Sequence, residues 1–97
     1  MSDVEVRDNP EESRYEAWLE GRLAGFAEYQ LRTGAIVFTH TEVGEEFGGR
    51  GVGGALARGA LDDVRAAGTR EVVPRCPFIK GWLEKHPDYQ DMVRQPE

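Results

Sequence analysis

Cysteine and histidine are scarce in this sequence, and their scarcity excludes whole classes of site. One cysteine, Cys76, cannot form an intramolecular disulfide or build a cysteine-rich zinc centre. The two histidines, His40 and His86, do not stand at the spacing of metal ligands. We therefore expect no metal cofactor, and the lone thiol is either reactive or structural.

Long apolar runs are also missing. No stretch approaches the roughly 20 residues that a membrane span needs. The N-terminal segment MSDVEVRDNPEES is polar and acidic, without the apolar core of a signal peptide. These absences predict a cytoplasmic protein.

Positive charge is in deficit, since 12 Lys and Arg face 18 Asp and Glu, for a formal net charge of −6. That sign repels nucleic acids and anionic membranes, so we expect neither as a partner. It mildly favours a cationic partner such as an amine, or it simply keeps the protein soluble. The length of 97 residues suffices for one modest core, which predicts a single domain over residues 1–97.

Apolar and polar residues alternate along the first half of the chain, as is typical of strands. Residues 4–7 show a short alternation that ends in a turn cluster. Three further strands, over residues 15–19, 23–31 and 35–43, are joined by short loops, which predicts an antiparallel meander. The alternation in the last strand predicts one face with Ile36, Phe38, His40 and Glu42, and another with Val37, Thr39, Thr41 and Val43.

The pattern changes after residue 43 to a glycine-dense segment, residues 48–54, which we call the glycine loop. Apolar residues at helical spacing then predict a helix that ends at Gly68. A helical crossover makes the next strand, residues 71–73, parallel to the strand over 35–43. Pro77 suits a first helical position, so we expect Cys76 as the N-cap of a second helix over 78–86. The predicted fold class is α/β of the α+β type: a mixed, mostly antiparallel sheet with a helix crossover to a parallel strand and a C-terminal helix.

The glycine loop has several interpretations. Glycines at a helix start let a phosphate approach unpaired backbone N–H groups. A Walker A loop is excluded because no Gly-Lys-Ser/Thr follows. Gly49-x-Gly51-x-x-Gly54 matches a dinucleotide fingerprint, but Glu71 begins the next strand, whereas the required acid ends it. A coenzyme A pyrophosphate loop and a ligand-free turn are the other two interpretations.

Three segments carry a family resemblance: HTEV at residues 40–43, GGRGVGGAL at 48–56 and VVPRCPFIKGWLEKHPDY at 72–89. In this order they resemble a small single-domain branch of the GNAT superfamily of acetyl-CoA-dependent N-acetyltransferases, over most of the chain after Arg14. The chain departs from the superfamily pattern at Gly48, where Gln or Arg is usual, and Arg50 is a candidate for the missing contact. Several elements that help to form the acceptor pocket of larger GNAT enzymes are absent.

The resemblance implies that coenzyme A lies between the separating ends of the two parallel strands. Backbone groups near Glu42 and Val43 would pair with the amides of its pantetheine arm. The glycine loop would hold its pyrophosphate, through Gly49, Arg50, Gly51, Val52, Gly53 and Gly54. Arg58 is a further candidate for a phosphate contact.

Three residues are candidates for the chemistry of acetyl transfer. Cys76 lies at a helix N-terminus, which favours a thiolate, so it could protonate the leaving CoA sulfur, carry the acetyl group, or simply pack in the core. His40 or Glu42 could accept the proton of the amine. His86 is expected to cap a helix end, and Trp82 and Tyr89 to pack rather than to bind ligand.

The resulting prediction is an N-acetyltransferase that moves an acetyl group from acetyl-CoA to an amine: a protein lysine, a polyamine or a small amine. The alternative is a module that binds CoA with little turnover. We expect a monomer or a weak homodimer.

Overall fold

The computed structural model describes residues 4–94, which form one five-stranded sheet covered on one face by helices. The strands are β1 (Glu5–Asn9), β2 (Arg14–Leu19), β3 (Arg22–Arg32), β4 (Ala35–Val43) and β5 (Glu71–Pro74). The α-helices are α1 (Val52–Ala67) and α2 (Pro77–Glu84), and 3₁₀ turns cover Glu45–Phe47 and Pro87–Met92. Residues 1–3 and 95–97 belong to the predicted domain but lie outside the described residues.

The strands follow one another across the sheet in chain order. Pairs β1–β2, β2–β3 and β3–β4 are antiparallel, whereas β4–β5 is parallel. The predicted meander, helical crossover and parallel strand are therefore confirmed. The parallel pair sets two strand ends side by side, and it is there that the candidate site lies.

Both helices pack on the same face of the sheet. The buried side chains of α1 and α2 share one core with the inward side chains of β2, β3 and β4, among them Tyr15 and Phe38. Gly59 lies where α1 meets β1, and a Cβ there would stand 2.7 Å from Cβ of Val6. This close approach explains a glycine inside a helix. We call the opposite, helix-free face of the described sheet the open face.

The helix boundaries follow local rules in the sequence. Gly51 and Gly68 flank α1 with left-handed φ values of 74° and 68°, a conformation that favours glycine. Cys76 is the N-cap of α2 and Pro77 is its first residue, as predicted. The predicted second helix is two residues too long, because α2 ends at Glu84 and His86 precedes the 3₁₀ turn.

Two buried tyrosines hydrogen-bond to carboxylates on neighbouring elements, Tyr15 to α1 and Tyr29 to β1. The Tyr15 hydroxyl donates a 2.7 Å hydrogen bond to Asp63, and the Tyr29 hydroxyl donates a 2.6 Å bond to Asp8. Burial, reinforced by the neighbouring carboxylate, raises the pKa of both phenols, so they stay neutral donors. Within residues 4–94, neither helix has the length and apolar character needed to cross a membrane.

Candidate functional site

The parallel strands β4 and β5 separate halfway along β4. Their pairing ends at Phe38 and Pro74, and the amides of Arg75 and Cys76 both donate to the Phe38 carbonyl, at 3.0 and 2.9 Å. Beyond that point β5 offers no partner to residues 39–43 of β4. The separation expected from the resemblance is therefore confirmed, and we call this opening the strand gap.

Main-chain groups of β4 point into the strand gap. The Gly44 amide donates to the Ala24 carbonyl on β3, and successive residues of a strand alternate in direction. The main-chain groups of Thr41 and Val43 are therefore directed away from β3 and toward the gap, whereas those of Glu42 face β3. Glu42 and Val43 were the two residues predicted to contact a ligand through the backbone. The direction of the main chain suits Val43 and also Thr41 to such a contact. Glu42 could contribute only its side chain.

A β-bulge at Thr39 changes the faces of β4. Tyr29 pairs with Phe38 and Glu28 with His40, so Thr39 is an extra residue in β4. Ile36 and Phe38 point into the core, but His40 and Glu42 are exposed, and Thr41 faces Cys76. The predicted face shared by Ile36, Phe38, His40 and Glu42 is therefore wrong, because the inserted residue shifts the alternation by one position.

His40 and Glu42 form a pair on the open face. Nε2 of His40 lies 3.0 Å from Oε1 of Glu42, and the side chains are 53% and 61% exposed. The imidazole also lies beside the Phe26 ring, with centroids 6.3 Å apart. The carboxylate of Glu42 therefore orients the imidazole.

Cys76 lies on the other face of the sheet, within the core. It is 2% exposed, and its Sγ is 3.1 Å from Oγ1 of Thr41. Its side chain makes no capping hydrogen bond to α2, although the residue occupies the N-cap. Thr41 is thus a candidate site residue that the sequence analysis missed. The bulge turns it toward Cys76, and the alternation of residues in β4 does not indicate a bulge.

The three predicted catalytic residues therefore do not form one cluster: they belong to two separate pairs, one of which includes Thr41. Cys76 with Thr41 faces the helices, whereas His40 with Glu42 faces the open side. The strand gap lies between the two pairs. A molecule in the gap would therefore have one pair on each side of the sheet.

The glycine loop leads into the N-terminus of α1. Gly49 and Gly51 adopt left-handed φ values of 78° and 74°. The first helical hydrogen bond runs from the Ala55 amide to the Gly51 carbonyl, so the amides of Val52, Gly53 and Gly54 precede the helical ladder. These amides form a site suited to an anion.

The two arginines that were expected to contact phosphate, Arg50 in the glycine loop and Arg58 on α1, contact other side chains of the protein instead. Nη2 of Arg50 lies 3.2 Å from Oε1 of Glu20, in the turn between β2 and β3. Arg58 donates a 3.1 Å hydrogen bond to the Tyr89 hydroxyl and lies over the Trp82 ring, so it joins α1 to the C-terminal segment. Its contacts are structural.

The remaining aromatic residues and His86 pack as expected. Nδ1 of His86 lies 2.7 Å from the Trp82 carbonyl, and its ring stacks on the indole with centroids 3.7 Å apart. Phe78 on α2 is partly exposed and lies against Gly53, where a Cβ would meet its ring at 2.8 Å. The first turns of α1 and α2 therefore adjoin at the strand gap.

Space for a ligand lies along β3 and β4 at the end of the sheet where the strand gap opens. A groove of about 530 Å³ is lined by residues 23–26 of β3, residues 41–44 and Phe47. No group of three or more His, Cys, Asp or Glu side chains within residues 4–94 could hold a metal ion.

A mixed sheet with a separated parallel pair beside a glycine-capped helix defines an α+β domain with the GNAT fold. The family model for the GCN5-related N-acetyl-transferases matches residues 14–92, and the chain belongs to this family. Among solved structures it is similar to the NMR solution structure of a GCN5-like candidate N-acetyltransferase from Staphylococcus aureus. The two share 28% identity with a TM-score of 0.71, covering 100% of this chain and 94% of that one. No curated protein matches the sequence.

Proposed function

We propose that this protein transfers an acetyl group from acetyl-CoA to an amine. The observation that carries the proposal is the strand gap, which opens directly beside the N-terminus of α1. The unpaired edge of β4 suits an arm that contains amides, and the N-terminus of α1 suits a pyrophosphate. Coenzyme A contains both groups in one chain.

The directions of the main-chain groups in β4 and at the start of α1 indicate which residues would hold coenzyme A. Thr41 and Val43 offer main-chain groups to the pantetheine arm, and the amides from Gly51 to Gly54 face the pyrophosphate. Gly49 gives the loop its turn. Arg50 can exchange Glu20 for a phosphate at low cost, because an exposed ion pair contributes only about 0–1 kcal/mol. Acetyl-CoA supplies the activated acetyl thioester.

The two side-chain pairs divide the proton transfers. The amine nitrogen forms a bond to the acetyl carbon while the carbon–sulfur bond breaks. His40, oriented by Glu42, accepts the proton that the amine loses. On the other face Cys76 gives a proton to the departing sulfur, and the Thr41 hydroxyl positions the thiol. The amine would therefore approach the gap from the open face, and the CoA sulfur would lie toward the opposite face.

Release of CoA thiol with a panel of amines tests the activity. We expect His40→Ala and Cys76→Ala each to lower the rate by tenfold or more. His86→Ala is the matched control, because His86 stacks on Trp82 away from the gap. Background release that neither substitution changes would refute the transferase and leave a CoA-binding module, provided that CoA still raises the melting temperature.

Mass spectrometry separates the two chemical roles of Cys76. With acetyl-CoA alone, a proton donor leaves the thiol unmodified, because no acceptor is present to displace the sulfur. An acetylated Cys76 under these conditions would instead establish covalent transfer through the thiol.

A further inference from the structure

A second groove lies on the open face, across β3, β4 and β5. Its volume is about 560 Å³, within the range of small-molecule sites. Val37 and Val73 line it as the outward residues of the paired strands, and Arg32, Arg75 and Arg94 supply its charges. We call it the arginine groove.

The arginine groove is positive although the protein carries a net charge of −6. None of its lining residues is acidic. Arg94 bonds to Glu71 at 3.1 Å across an exposed ion pair, and Arg32 donates to the neutral Gln30 at 3.0 Å. The side chain of Arg75 is exposed and makes neither a hydrogen bond nor an ion pair among the described residues. At least two guanidinium groups therefore lack a counter-charge.

The groove begins where β4 and β5 separate. Arg75 directly precedes Cys76, and both amides bond to Phe38 at the last paired position. Thr39, the bulge residue, lines the groove and directly precedes His40 on the same face. A ligand held by Arg75 thus lies next to the proposed base.

We propose that the acetyl acceptor is a small amine with an oxyanion, a carboxylate or a phosphate, at its other end, and that Arg75 binds this oxyanion in the arginine groove. The proposal rests on the proposed function, because it names the acceptor of that same site. Guanidinium groups bind planar oxyanions through two hydrogen bonds. The overall charge favours a cation, but charges more than about 8 Å away are screened at physiological salt. The arginines of the groove therefore outweigh the carboxylates beyond that distance, and the nearby carboxylates of Glu42 and Glu71 are already paired with His40 and Arg94.

The test compares acceptors that differ only in the anionic end. We would measure kcat/KM with 4-aminobutyrate and its amide, with 2-aminoethyl phosphate, and with putrescine as the cationic arm. The anionic acceptors should exceed the amide and putrescine by roughly ten- to hundredfold. The anionic acceptor with the higher kcat/KM shows whether the groove prefers a carboxylate or a phosphate.

The matched variants are Arg75→Gln and Arg70→Gln. Arg75→Gln should lower kcat/KM for the anionic acceptors toward the value for the amide, and so abolish the preference. Arg70 lies in a different pocket, beside Tyr29 on the helix-covered side, so Arg70→Gln removes the same charge and should keep the preference. Turnover without a preference for anions, or a preference that survives Arg75→Gln, would overturn the proposal.

A binding readout separates this inference from the proposed function. NMR titration of the protein with 4-aminobutyrate or 2-aminoethyl phosphate should shift the amides of Arg75 and Thr39. Shifts without turnover by any amine would uphold the anion site and refute acetyl transfer. No shifts and no preference would refute the anion site, whatever the turnover.

Discussion

Replacing Gly51 by alanine separates backbone strain from steric crowding at the start of α1. Gly51 has a φ of 74°, and a Cβ there would meet nothing within 4 Å. The cost is therefore the left-handed conformation alone, about 1–2 kcal/mol for an alanine. Gly54 is the control, because it lies in the first turn of α1 without a left-handed φ and its Cβ would also meet open space.

Thermal unfolding followed by circular dichroism measures both variants. In a domain of this size 1 kcal/mol shifts the melting temperature by about 4–8 °C. Gly51→Ala should lower it by about 4–16 °C. Gly54→Ala should raise it by up to about 8 °C, since alanine is favoured over glycine in a helix by up to about 1 kcal/mol. Equal shifts, or no loss in Gly51→Ala, would refute the assignment of strain to Gly51.

The same two variants test the proposed phosphate contact. Gly51→Ala should reduce the rise in melting temperature that CoA produces, because the amides of the first turn change direction. Gly54→Ala should also reduce that rise despite its higher stability, since a methyl group keeps a phosphate away from the backbone. If CoA stabilises Gly54→Ala as much as the parent protein, the pyrophosphate does not lie against Gly54.

Two further substitutions test single side chains. Thr41→Val keeps the shape of the side chain but removes the hydroxyl beside Cys76. The rate of acetyl transfer should therefore fall about 3- to 10-fold with an unchanged melting temperature. An unchanged rate would show that Thr41 does not position the thiol. Burial disfavours the charge of Glu16, but three hydrogen bonds from neighbouring side chains outweigh it and hold the pKa of Glu16 below its usual value. The stability that Glu16 contributes is thus complete above about pH 4.3 and lost on further acidification. Glu16→Gln should unfold at lower urea at pH 7, with a weaker dependence on acid pH; parallel pH profiles would contradict this.

Most of the fold follows from patterns that are local in the sequence. The turns, the end of α1 at Gly68 and the Cys76–Pro77 start of α2 each depend on a few neighbouring residues, and all were predicted correctly. The bulge at Thr39 could not be predicted, because it depends on how Glu28 and Tyr29 of β3 pair with β4. The arginine groove was also missed, since its charges come from three separate segments and the overall composition has the opposite sign.

The bulge is what makes a two-sided site possible in so short a chain. With regular alternation, His40 would point into the core and Thr41 toward solvent, and no hydroxyl would lie beside Cys76. One inserted residue exposes His40 on the open face and turns Thr41 to the thiol, while Phe38 stays in the core. No described helix covers the open face, so the proposed acceptor would be selected there by side chains of the sheet itself. Arg75, one residue from Cys76 and on the face of His40, is the charged side chain best placed to make that selection.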